Sequence, residues 1–127
     1  MYPLTRLRRT RMHKWSRNVV KENVISSSDL ILPIFIKEGI NKKEEISSMP
    51  DVYKYSIDNL EKIVTQAVKN KIPAIALFPE IENDKKDEIG SEALNENNLV
   101  CKAVREIKKK FKNEVGIICD VALDPYT

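Results

Sequence analysis

Two aspartates four residues apart, Asp120 and Asp124, close an apolar run that begins at Gly116 and is bounded by Pro125. Carboxylates at the end of a buried strand cost free energy unless they are paired, hydrogen-bonded or bound to a cation. In parallel α/β folds the C-terminal strand ends open onto a shared crevice or barrel mouth, and the chemistry is done there. A carboxylate in that place can orient a substrate amine or tune a neighbouring lysine. Asp120 is therefore the first candidate catalytic residue and Asp124 the second. The competing reading is a turn and cap pair, because Asp-Pro favours a turn. Other reactive types offer less. Cys101 and Cys119 have no metal or redox spacing, which makes a reducing cytoplasm the default compartment. His13 stands alone, without a visible partner.

The elements that must position those aspartates follow from periodicity. Leu30 to Ile36 (LILPIFI) is apolar throughout and reads as a buried strand, although Pro33 removes a ladder donor and would demote it to an edge or a bulge. Residues 37–55 read as a long polar connection. Ser56 is a plausible N-cap, and Ile57, Leu60, Ile63, Val64, Ala67 and Val68 share one helical face. Pro73 follows that helix, and AIALF, residues 74–78, forms a second apolar strand. Residues 79–98 are a long acidic and polar loop, of the length that is usually functional or disordered. A second helix spans about Leu99 to Phe111, with Lys108, Lys109 and Lys110 at the end where the dipole favours cations. The run from Gly116 is the third strand. Phe78 is expected either in the core or lining the mouth.

Strand, helix, strand, helix, strand, all with apolar strands, implies βαβ crossovers and a parallel sheet. Three such strands in an open sheet leave two edges unpaired and both apolar faces only partly covered. No Gly-rich phosphate loop follows the first strand, which weakens a dinucleotide-binding reading. The alternative is the first part, about three βα units, of a TIM (β/α)₈ barrel, a fold of about 250 residues. The expected organisation is an N-terminal arm over residues 1–29 and a partial barrel domain over residues 30–127.

Composition narrows the function classes. Hydrophobic residues make up 42% and charged residues 32% of the 127 positions, as in ordinary soluble domains. No apolar run approaches the roughly 20 residues that cross a bilayer, and no secretory signal is legible. The Arg-rich, acid-free start also resembles an organelle transit peptide in composition. The formal charge of +3 is unevenly placed: six of the 22 Lys and Arg lie in residues 1–17, which hold none of the 19 Asp and Glu. That arm interleaves its charges with Leu4, Leu7, Met12 and Trp15. Subunit clasp, solvated tail and nucleic-acid contact all remain open for it, but no RNP, zinc-finger or helix-turn-helix signature accompanies it.

Six stretches carry a resemblance to a known family: RLRRTR (6–11), LILPIFIKEG (30–39), SSMPDVYKYS (47–56), IPAIALFP (72–79), KDEIGSEAL (86–94) and DVALDPYT (120–127). In this order and spacing the chain resembles the first portion of porphobilinogen synthases, the delta-aminolevulinic acid dehydratases, over nearly all of its length. Asp51 stands where the family has glycine, a mild departure because Asp tolerates left-handed turns. The resemblance implies a TIM barrel enzyme, a hydro-lyase that joins two molecules of 5-aminolevulinate into porphobilinogen, with loss of two waters, in tetrapyrrole (heme) biosynthesis.

Family members hold substrate through Schiff bases to lysines on later strands, beyond Thr127. A Schiff-base lysine needs neighbours that depress its pKa, and the lysines here lie nearly all in polar loops or near helix ends. The chain alone is therefore expected not to turn over aminolevulinate. Zinc-dependent members carry cysteines at the positions of Ala122 and Asp124. Here one has no ligand atom and the other offers hard oxygen, which favours magnesium or no catalytic metal over zinc. No complete metal site is assigned. By the same resemblance the arm wraps a neighbouring subunit in a homo-oligomer, commonly an octamer, with no nucleic acid and no membrane as partner. The competing function is a small α/β binding or oligomerisation module with a basic arm.

Overall fold

The computed structural model describes all 127 residues. In chain order the elements are α1 (Arg9–Met12), α2 (Lys14–Val19), β1 (Ile31–Ile36), β2 (Lys43–Glu45), β3 (Tyr53–Tyr55), α3 (Leu60–Lys69), β4 (Ala74–Pro79), α4 (Leu99–Phe111) and β5 (Gly116–Cys119). They form one five-stranded sheet in the order β2-β3-β1-β4-β5. The three strands expected from the sequence are its parallel core: Leu32 lies opposite Ile75, Ile34 opposite Leu77, and Ile75 opposite Ile117.

Strand alternation sorts the side chains. Ile34, Ile36, Ile75 and Leu77 point to one face, where Leu60, Val64 and Ala67 of α3 and Leu99, Ala103, Ile107 and Phe111 of α4 cover them in a single cluster. The other face has no covering layer: Ile31 is 53% and Ile118 44% exposed. Only 18 of the 127 residues are buried, so the hydrophobic core is one-sided.

The helix ends are closed by hydrogen bonds. Asn98 caps α4, its Oδ1 accepting from the Cys101 amide at 2.8 Å, and Lys108 Nζ donates to the Lys112 carbonyl at the far end, 3.2 Å. At the end of α3 the Ile72 amide donates to Ala67 O (3.0 Å) and the Lys71 amide to Val68 O (2.9 Å). This paired closure places Lys71 at φ 58, a left-handed position usually given to glycine.

Four expectations need correction. First, the 37–55 connection contains β2 and β3. Their segments, KEE and YKY, are too short and polar to show an apolar pattern, and they form because β1 offers an edge: Phe35 and Ile36 pair with Lys54 and Tyr55, and β2 then pairs antiparallel with β3. Second, Pro33 sits in the middle strand of the sheet. The Lys37 amide donates to Tyr55 O while Ile36 O accepts from the Glu80 amide, so by alternation the missing Pro33 N–H faces the β3 side, beyond the two positions that β3 pairs. No ladder bond is lost.

Third, Ser56 does not cap the helix through its side chain. A 3₁₀ turn, Ile57–Asn59, precedes α3, and the fully buried Ser56 Oγ accepts from the Lys42 amide at 2.8 Å, fastening the β1–β2 connection. Fourth, β5 is not buried: Gly116, Ile118 and Cys119 are exposed and Ile117 half-buried, because no strand lies on its outer edge. Asp51, by contrast, adopts the left-handed turn expected of it, at φ 64.

The N-terminal arm carries two short helices, and Leu4, Leu7, Trp15 and Val19 all remain exposed. No helix is long and apolar enough to cross a membrane.

Candidate active site at the strand ends

The C-terminal ends of β1, β3, β4 and β5 lie along one rim of the sheet, because these strands are parallel. Asp120 follows β5 directly. It lies two residues past Ile118, on the alternation of the uncovered face. Since Leu77 pairs with Cys119, the next positions along the two strands are Phe78 and Asp120. Phe78 is 37% exposed and stacks at a tilt on Phe35, ring centroids 5.7 Å apart. It is therefore an uncovered-face residue and not a core residue. Asp124 opens the 3₁₀ turn Asp124–Tyr126. Both aspartates are exposed, and neither carboxylate accepts a hydrogen bond or an ion pair from the chain. The turn half of the alternative reading is thus present at Asp124, while a side-chain cap is not.

A second group of charges, unforeseen from the sequence, lies on this rim. Lys37 after β1, Glu44 on β2, Lys54 on β3 and Glu80 after β4 form a closed set of four ion pairs. Lys37 bonds Glu44 and lies 3.4 Å from Glu80; Lys54 bonds Glu80 and lies 3.8 Å from Glu44. Residues 26 positions apart meet here, so no local spacing could have signalled it. The hydrogen bond to Glu44 raises the Lys37 pKa against the opposing cost of burial, with the Glu80 charge adding to the rise. In turn, Lys37 lowers that of Glu44. Lys85, bonded to Glu38 at 2.9 Å, is raised as well, chiefly by that bond. A lysine held in its charged form is a poor amine nucleophile, and ion pairs with Glu44, Glu80 and Glu38 favour that form of Lys37 and Lys85.

A cleft of about 330 Å³ opens beside this group, lined by Lys37, Glu38, Glu80, Ile81, Glu82 and Asn83. A larger hollow of about 660 Å³ lies between the start of α3 and the end of α4; none of the strand-end charges lines it.

Metal-ligand chemistry is sparse. No three His, Cys, Asp or Glu side chains converge. Cys119 shares its face with Leu77, opposite to that of Asp120, and loss of solvent around its sulfur, with Cys101 nearby, pushes its thiol pKa up.

The chain is similar to known proteins. A family model described as delta-aminolevulinic acid dehydratase matches residues 4–127. A delta-aminolevulinic acid dehydratase of Bradyrhizobium diazoefficiens is 52% identical over 122 residues, 96% of this chain and 34% of that protein. One from Chlamydia pneumoniae is 42% identical, over 96% of this chain and 36% of that protein. Among solved structures, the delta-aminolevulinic acid dehydratase (porphobilinogen synthase) of Toxoplasma gondii, in complex with the reaction product porphobilinogen, superposes with a TM-score of 0.83 at 34% identity. That match covers 97% of this chain and 34% of the other. The chain thus spans about a third of the length of the relatives it matches.

Proposed function

The chain belongs to the delta-aminolevulinic acid dehydratase family, and from that premise we propose that it forms the opening βα units of a porphobilinogen-synthesising TIM barrel, in which Asp120 is a catalytic carboxylate of the mouth. The observation that carries this reading is the one-sided sheet. Its helices cover one face, its other face is apolar and bare, and β5 ends on an unpaired edge with Asp120 at its tip. A closed barrel removes both the bare face and the open edge.

The substrate of the completed barrel is 5-aminolevulinate, two molecules of which condense with loss of two waters. Asp120 then orients a substrate amine or tunes the lysine that binds substrate covalently, and Asp124 takes a secondary place in the same mouth. Lys37 and Lys85 are engaged in ion pairs, in keeping with a covalent step carried by lysines of later barrel strands. The chain alone is accordingly inactive.

The donor set does not fit a zinc centre: Ala122 has no ligand atom, Asp124 is an oxygen donor, and Cys119 turns to the other face. Hard carboxylate oxygens favour magnesium, but these residues alone do not make a magnesium site, and no step is routed through a metal. The exposed apolar residues of the arm support a homo-oligomer in which the arm packs on a second copy. Two free cysteines agree with a reducing, cytoplasmic setting.

The test is a chimera in which these 127 residues replace the matching third of the Bradyrhizobium relative. Porphobilinogen formation by the chimera, with none by the isolated chain, is expected. A folded chimera without product, or product from the chain alone, contradicts the proposal.

A further inference from the structure

The loop after β4 is fastened at two places. Lys85 reaches Glu38, just past β1, at 2.9 Å. The amide of Asp87 donates to the carbonyl of Tyr126, in the turn that follows β5, at 3.2 Å. One loop thus ties the exits of three parallel strands.

Its tip is stiff. The Asp87 carboxylate accepts from the amides of Ile89 (3.1 Å) and Ser91 (2.9 Å) and from the Ser91 hydroxyl. Gly90 turns left-handed at φ +63 and lies against the same C-terminal turn: a methyl added there would meet Leu123 at 3.5 Å and Thr127 and Tyr126 at 3.6 Å.

The segment that carries the candidate carboxylates is, by contrast, an arch. It leaves the sheet at Cys119, the last residue paired to β4. Val121 is fully exposed and Leu123 is 58% exposed. The only backbone hydrogen bond inside it runs from the Tyr126 amide to Leu123 O, 2.8 Å. Then Tyr126 is buried, 7% exposed. Fixing each backbone residue costs about 1–2 kcal/mol of conformational entropy. An arch with one internal bond and an exposed centre does not meet that cost from its own contacts, so its conformation depends on its two ends.

We infer that the 79–98 loop is a brace for the Asp120–Asp124 arch and that Tyr126 is the positioning residue through which it acts. The inference rests on reading Asp120 and Asp124 as site carboxylates. Tyr126 is buried while Asp120 and Asp124 are exposed, and its packing under the loop sets where the two carboxylates stand. The ring carries this role and the hydroxyl does not, since that hydroxyl makes no hydrogen bond to the chain.

The experiment is NMR of the 127-residue chain, reading Asp side-chain carboxyl shifts and amide exchange. In Tyr126→Ala, the shifts of residues 120–124 should move to random-coil values and the Asp87 amide should exchange at least tenfold faster, with β1 and β4 amides unchanged. Tyr126→Phe should restore the parent spectrum. Unchanged shifts at 120–124 in Tyr126→Ala, or a Tyr126→Phe spectrum like that of Tyr126→Ala, overturn the inference. Should Tyr126→Ala unfold the whole chain, Asp87→Asn decides: it slackens only the exposed loop tip, and the arch should loosen with it, whereas an arch indifferent to Asp87→Asn overturns the brace. Asp120→Asn should leave the exchange pattern of the chain intact, so a failure of the catalytic reading shows in turnover of the chimera and a failure of the brace shows in exchange.

Discussion

Lys54 on β3 and Glu80 just past β4 join their charges across the end of β1, the strand that lies between them. With Lys37 and Glu44 they tie four strands at one rim. The side chains of Lys54 and Glu80 are 23% and 41% exposed, so solvent screening limits what the pair contributes. A double-mutant cycle with Lys54→Met and Glu80→Gln should give a coupling of about 0.2–1 kcal/mol in urea unfolding, shrinking as salt is raised. A coupling that salt leaves untouched would mean that the pair acts through packing.

Acid should loosen the loop before the core. The hydroxyl and amide of Ser91 hold the Asp87 carboxyl below the ordinary carboxylate range, as Lys37 does for Glu44. A depressed folded-state pKa contributes stability that is complete above the unfolded value and is lost as pH falls through the folded value. Urea midpoints should therefore be flat above about pH 5 and fall below about pH 4. Asp87→Asn should flatten part of that fall. At the other extreme, Lys37 and Lys85 are raised, and their contribution is lost only as pH climbs past the ordinary lysine range.

Lys71 holds a left-handed position at the end of α3, at a cost of about 1–2 kcal/mol for a residue with a Cβ. Replacing it by glycine should raise the urea midpoint by the equivalent of about 1 kcal/mol, with the m-value unchanged. The glycine's greater unfolded-state freedom offsets part of the gain. A lower midpoint would mean that the lysine side chain makes a compensating contact.

The arm's apolar residues are exposed beside its six positive charges. If they pack on a second copy, Leu7→Asp with Trp15→Ala should lower the mass of the chimera's assembly in light scattering and leave the far-ultraviolet spectrum of each subunit unchanged. An unaltered mass would return the arm to a solvated tail.

The parts legible in the sequence are those governed by local periodicity. LILPIFI and AIALF announce β1 and β4, and apolar spacing with the terminal lysines announces α4, Leu99 to Phe111. What stayed illegible depends on distant partners. KEE and YKY become strands only because β1 presents an edge, and Ser56 fastens Lys42 instead of capping α3 because that connection folds back over it. Pro33 is tolerated in the middle strand because its neighbour stops short. At the candidate site, the place of Asp120 at a strand end could be read from the apolar run before it. The Lys37, Glu44, Lys54 and Glu80 group could not, since none of its pairs is local, nor could the dependence of the arch on Tyr126.

The most direct measurement is the rate of porphobilinogen formation by the chimera carrying Asp120→Asn, compared with the parent chimera at equal folded concentration. A positioned carboxylate that assists proton transfer contributes about 10²–10⁴-fold. The account predicts a fall of at least about a hundredfold, with an unchanged melting temperature. A rate within threefold of the parent would contradict it and leave Asp120 as a turn residue.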